Sequence, residues 1–223
     1  MDIITRFQTV KDEQYALFSK KIIPSSLQFI GVRSPIFKRI VKDILIQNYV
    51  YEDYHEYQYS PYFEVQLLYG ILLLRDKHLS KEEKLAHLIP FLKTVDNWAI
   101  IDSISGIPLL DGVDEILKFV DTYQKDAAPF LRRYCYILVL AHLKEFHDPQ
   151  VIFSRILDDD HYYVQMGQAW LLSMTYLRYK EATFTYLKHC SLNKVTLHKT
   201  IQKIIDSYRV TDEEKNEVRT LRR

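Results

Sequence analysis

The chain has 223 residues, 48% of them apolar, and a formal net charge of +1. That is enough apolar material to bury a continuous core, and the near-neutral charge excludes a polycation that coats nucleic acid by bulk charge alone. Five glycines and seven prolines are too few for a strand-and-turn architecture or a disordered chain.

The opening "MDIITRFQTVKDEQ" lacks a basic leader followed by an apolar core, so no secretory signal is expected. The first segment that reads as helix is "VKDEQYALFSKKII", followed at once by "PSS" and "LQFIGV". "SPIFKRIVKDILIQN" places Ile36, Phe37, Ile40, Val41, Ile44 and Leu45 on one helical stripe. Ser34 and Pro35 suit an N-cap and a first turn. The tyrosine-rich run "NYVYEDYHEYQYSPY" contains three acids, Glu52, Asp53 and Glu56, with Glu64 just beyond it, so inter-helix packing and a solvated loop are favoured there over base stacking. "SPYFEVQLLYGILLLRD" repeats the Ser-Pro start at Ser60 and Pro61. In "SKEEKLAHLIPFLKTV", Ser80 and Glu83 have capping-box spacing, and Pro90 predicts a kink or an early end.

Further helical segments follow to a charged last helix from Thr211. The pattern predicts an all-α protein of about a dozen helices, with helix pairs recurring every 35 to 45 residues and no sustained strand alternation. Degenerate pairs of that length point to a single curved solenoid of HEAT-like antiparallel helix pairs, a compact bundle being the structural alternative. No linker rich in Gly, Ser or Pro divides residues 1–223, so one domain is expected. No apolar run reaches about 18 residues, so no membrane span is expected. The two cysteines, Cys135 and Cys190, lie far apart, which fits a reducing cytoplasm and offers no zinc site. Cys135 reads as a small core residue. Eight scattered histidines supply no credible ligand spacing, so no metal is assigned.

Charge is uneven along the chain. Residues 20–42 hold six Lys/Arg and no acid, and residues 188–223 hold nine Lys/Arg against five acids. If the chain curves, these two basic ends can form one anion-binding face; otherwise they are ordinary solvated helix faces.

"TVDNWAIID" raises the sharpest question. Asp96 suits a helix N-cap, whereas Trp98 and Asp102 stand at i and i+4 and share one helix face. A carboxylate among Ile100, Ile101 and Ile104 needs a partner or open solvent. Either Trp98 is core and Asp102 pairs with an arginine, or the two face a cleft together. "FLRRYCYIL" puts Arg132 and Arg133 at the start of an apolar helix, where a partly buried Arg133 wants a carboxylate or phosphate. "VQMGQAWLLSM" carries Trp170 behind a mid-helix Gly167, whose helix-propensity cost suggests close approach of another group or tight helix packing.

At these residues the chain resembles the HEAT-like repeat DNA glycosylases for alkylated bases, the AlkD-type DNA alkylation repair proteins. The carriers are "FIGVRSPIFKRIVKDI", "YSPYFEVQLLYGILLL", "VDNWAIIDSI", "LRRYCYIL", "VQMGQAWLL" and "LHKTIQKI", in the family's order from about residue 27 to about 207. The W-x-x-x-D spacing with the later Arg and Trp is the specific part. The resemblance implies that Asp102 is the catalytic carboxylate, that Trp98 and Trp170 flank the deoxyribose of the lesion, and that Arg133 lies near the DNA backbone within reach of Asp102. It implies cationic substrates such as 3-methyladenine and 7-methylguanine in double-stranded DNA, hydrolysed without inserting the base into a pocket, with no metal or organic cofactor. Arg33, Lys38, Arg132, Lys194, Lys199 and Lys203 are the candidate DNA-binding cations, and a monomer is expected. Two features depart from the family. Two helices are expected before the F-x-G-V motif, yet one of them, or most of it, reads as absent, and Met166 stands where lysine is expected. Both bear on gripping DNA, so the alternative is a divergent member without glycosylase activity that acts as a nucleic-acid or protein binding module.

Overall fold

The computed structural model describes residues 2–47 and 49–222. Fourteen α-helices and two 3-10 turns account for the regular structure of these residues, with no β-strand among them. Two compact units divide the chain, residues 1–109 and 110–223.

In the first unit, α1 (Ile3–Gln8) starts at Asp2, whose carboxylate accepts from the backbone N–H groups of Ile4 and Thr5 at 3.0 and 3.1 Å. This helix corrects the expectation that only one helix precedes the F-x-G-V motif. It is short, but it is capped, and Phe7 is fully buried. α2 (Glu13–Ile22) is capped by Asp12. α3 (Ser34–Ile46) buries Phe37, Ile40, Val41 and Ile44 of the stripe its spacing predicts, with Ile36 and Leu45 half-buried at its edges. Its N-cap is Arg33 rather than Ser34, and no side-chain cap bond is made there.

The tyrosine run forms the single turn α4 (Tyr51–Tyr54) and a 3-10 segment, His55–Tyr59. Tyr54 is buried and donates its hydroxyl to Asp76 at 2.6 Å, while Tyr59 is exposed. Packing plus a solvated loop is therefore what the run provides. α5 (Phe63–Arg75) begins two residues after Pro61, because the Pro61 carbonyl is taken by the Gln28 N–H in an isolated parallel bridge. α6 (Lys81–Thr94) opens with the Ser80–Glu83 capping box and runs on past Pro90 to Thr94, with Leu88, Phe91 and Leu92 buried on either side of it. Of the two outcomes Pro90 predicts, a kink or an early end, the early end does not occur, because that burial carries the helix on. α7 (Trp98–Ile104) completes the unit. α5 is its centre, packing against α3, α6 and α7.

The second unit contains α8 (Gly112–Tyr123), α9 (Pro129–Ala141), α10 (Gln150–Phe153), α11 (Tyr162–Arg178), α12 (Lys180–His189), α13 (Lys194–Ile205) and α14 (Asp212–Arg219), with a 3-10 turn at Leu143–Glu145. α11 packs on both α9 and α13. Each unit thus stacks alternate helices, α3 on α5 on α7 and α9 on α11 on α13. These start roughly 30 residues apart, a shorter step than the sequence pattern suggested. Cys135 is fully buried in α9, and burial pushes its thiol pKa well up, so it is an inert core residue. Among the described residues, no helix is long and apolar enough to cross a membrane.

Candidate functional site

The N-cap of α7 is Asn97, not Asp96. The fully buried Asn97 side chain accepts the Ile100 N–H at 3.1 Å. Asp96 turns instead to the segment after α2, accepting from the Ser25 hydroxyl at 2.5 Å and the Ser26 N–H at 2.6 Å. Burial raises the Asp96 pKa, but the bonds from Ser25, Ser26 and Asn97 together outweigh it and hold the carboxyl below its ordinary value. Asp96 is thereby a latch, and sequence could not distinguish it from the adjacent cap.

Cap position fixes the rotation of α7. Ala99, Ile100, Ile101 and Ile104 go into the core. Trp98 and Asp102, one turn apart, stay half-buried. The Trp98 Nε1–H donates to the Ile22 carbonyl at the end of α2, at 3.3 Å. Trp98 and Asp102 both border a cavity of about 920 Å³ enclosed by α2, α3, α5 and α7. Its floor is apolar, with Phe37, Val41 and Leu67, and its charged lining comprises Lys38, Lys42, Arg75, Glu64 and Asp102. The Trp98 face, two carboxylates and three cations thus line one cavity, and Asp102 is the carboxylate that shares a helix face with Trp98. Of the predicted DNA-binding cations, Lys38 is in this lining. Arg33 is not. It pairs with Asp12 at 2.7 Å and lies over the Tyr15 ring.

The other candidates belong to the second unit. Arg133 is only 4% exposed, and its Nη1 donates to the Tyr163 carbonyl at 2.5 Å. It lies along Gly167, the group whose close approach the helical glycine suggested. A methyl group at Gly167 would rest 3.4 Å from Arg133 Cγ and 3.5 Å from its Nη1, in contact but without a clash. Gly167→Ala is therefore expected to stabilise the protein by about 0.5–1 kcal/mol through helix propensity, measured by chemical denaturation. A loss of more than that amount would show that Arg133 cannot yield the space.

Trp170 is 38% exposed on α11, and Lys203 Nζ from α13 lies 5.9 Å from its ring centroid, within cation–π range. Lys194 and Lys199 are exposed on the same α13. Arg132 is committed elsewhere. Its Nε and Nη2 grip Asp159 at 2.7 and 3.0 Å, and its Nη1 donates to the carbonyls of Asp126 and Ala127. Beside it, burial first and then the Arg132 charge lower the His161 pKa, which keeps that imidazole neutral near pH 7.

Glu64, Lys42 and Arg75 are cavity residues that sequence reasoning did not single out. Glu64 carried a signal, being an acid inside the apolar run "SPYFEVQLLYG". Its carboxylate is buried and accepts the N–H groups of Ile30, Gly31 and Val32 at 3.0, 2.7 and 3.2 Å.

No curated protein sequence matches the chain. The family model described as DNA alkylation repair enzyme matches residues 3–204, running through both units and covering Trp98, Asp102, Arg133 and Trp170. The chain belongs to the DNA alkylation repair enzyme family.

Proposed function

We propose that this family member is a monofunctional DNA glycosylase that hydrolyses the N-glycosidic bond of cationic alkylated purines, such as 3-methyladenine and 7-methylguanine, in double-stranded DNA. The observation that carries this reading is the shared opening of Trp98 and Asp102 onto one cavity, in a chain the DNA alkylation repair model matches over residues 3–204. That match spans residues on both sides of the boundary at residue 109, which supports a single HEAT-like repeat domain.

The chemistry needs little more than one carboxylate. An N-alkylated purine already carries positive charge, so it leaves with the glycosidic electron pair as a neutral base. Positive charge then develops on C1′ and O4′ of the sugar. The Asp102 carboxylate stabilises that charge, and the Trp98 face adds cation–π attraction. Water adds to C1′, and its proton passes to Asp102. No acid is needed to protonate the leaving base, so the second carboxylate of sugar hydrolases is dispensable. Arg133 takes the role of a cation near the DNA backbone, and Lys38, Lys194, Lys199 and Lys203 contact phosphate.

A second reading is a family member that binds DNA without excising bases. Two of the six candidate DNA-binding cations, Arg33 and Arg132, are already paired within the protein, which weakens the electrostatic grip. Release of both methylated bases from duplex DNA, run beside salt-dependent DNA affinity, tests the two together. Base release by the purified protein is expected. Salt-dependent binding with no release would sink the enzyme and leave the binding module.

A further inference from the structure

We propose that Glu64 is a positioning residue for Trp98: by clamping the turn at residues 30–32 it sets the pose of α2, whose last carbonyl holds the Trp98 indole beside Asp102. The catalytic consequence rests on the glycosylase reading, whereas the mechanical link does not.

Helix α2 has little else to hold it. Of its ten residues only Ser19 is buried, while Leu17 and Phe18 are 70% and 56% exposed. A helix of ten residues is marginal in water without tertiary burial. Polar ties at both ends take that place. At the N-terminal end, the Asp12 N–H donates to the Gly31 carbonyl at 3.0 Å, and the Asp12 carboxylate takes the Arg33 Nε–H at 2.7 Å. At the C-terminal end, Trp98 Nε1–H meets the Ile22 carbonyl, and Ser25 and Ser26 meet Asp96.

The N-terminal dock is only as firm as the turn that makes it. Gly31 has φ +89°, and a Cβ there would lie 2.1 Å from the Asp12 carbonyl oxygen. The chain passes so close that only glycine fits. The three amides of Ile30, Gly31 and Val32 then point at one carboxylate, with Oε1 serving Gly31 and Val32 and Oε2 serving Ile30. Charge-assisted bonds of this kind are stronger than neutral ones, and a buried carboxylate so engaged is not available for water activation. Glu64 borders the cavity with Trp98 and Asp102, yet it acts there through α2 rather than on substrate.

The chain has two tryptophans, so two indole N–H resonances suffice for the test, assigned with Trp170→Phe. Glu64→Gln sets an amide NH₂ against backbone N–H groups that need an acceptor. It is expected to speed solvent exchange of the Trp98 indole N–H by roughly tenfold or more, as local opening does, and to leave the Trp170 indole unchanged. Arg33→Met, which removes the tie to Asp12 at the other side of the same dock and leaves the Asp12 cap of α2 in place, is expected to act in the same direction more weakly. It decides the matter if Glu64→Gln does not fold. Unchanged Trp98 exchange in a folded variant, or equal acceleration of both indoles, would overturn the proposal. Base release by Glu64→Gln is expected to fall roughly tenfold with DNA affinity kept, since small misplacements of a reacting constellation cost at least that much. Undiminished release with a loosened Trp98 would overturn the catalytic part. A wild type that releases no base would overturn the glycosylase reading alone, because the indole measurement stands without it.

Discussion

Asp102→Asn is expected to cut base release from methylated duplex DNA by roughly 10²–10³-fold, the range seen when one preorganised group that stabilises developing charge is removed. The substitution keeps the shape of the side chain and takes away its charge. It therefore removes stabilisation of the positive sugar and the acceptor for the water proton in one step, while the surface that meets DNA is unaltered. Affinity for the same duplex is expected to stay within about twofold, because a single carboxylate contributes no phosphate contact. Single-turnover release under saturating protein separates the two quantities. Retention of more than about a tenth of wild-type release would sink Asp102 as the catalytic group. The core of α7 is formed by Ile100, Ile101 and Ile104, so the variant is expected to unfold close to the wild type, and a large loss of stability would assign Asp102 a structural part as well.

The Trp98–Asp102 pair was legible in the sequence because i and i+4 on a helix must share a face. For the same reason the α3 stripe and the Ser80–Glu83 capping box are found where the spacing put them. Local chemistry failed where a longer-range partner decided. Asp96 looks as good an N-cap as Asn97, and only the serines 70 and 71 positions earlier in the chain claim it. Ser60 and Pro61 look like a helix start, but Gln28 takes the Pro61 carbonyl and the helix begins at Phe63. Pro90 looks like a stop, and the burial of Leu88, Phe91 and Leu92 carries the helix through. α1 was missed because a helix of six residues offers too few periodic positions to stand out. The same blindness affects the charged residues. Lys and Arg show in sequence as cations, but the acids that neutralise Arg33 and Arg132 lie 21 and 27 residues away. Glu64 belongs with these, since its partners are backbone amides, which no side-chain pattern reports.

Asp159→Ala is expected to destabilise the protein by about 3–5 kcal/mol, the cost of leaving a buried charge without its partner. Both side chains of the pair are largely covered, at 14% exposed for Arg132 and 10% for Asp159. The bidentate grip is reinforced by two carbonyls on Arg132 Nη1 and by the His161 N–H on Asp159. Chemical denaturation measures the loss. The same variant asks what Arg132 is for. If Arg132 reaches DNA, removing Asp159 frees a cation, so affinity should rise and the salt dependence should steepen by about one phosphate contact. We expect neither change, because the guanidinium is turned into the 126–127 and 159 segments that lead into α9 and α11. Replacing both partners with apolar residues of similar size, Arg132→Met with Asp159→Leu, should recover part of the stability, since a buried pair exchanged for apolar packing is often near neutral. Recovery with unchanged DNA affinity would make Arg132 a brace of the second unit. A double variant that folds well but loses affinity would return Arg132 to the DNA-binding set.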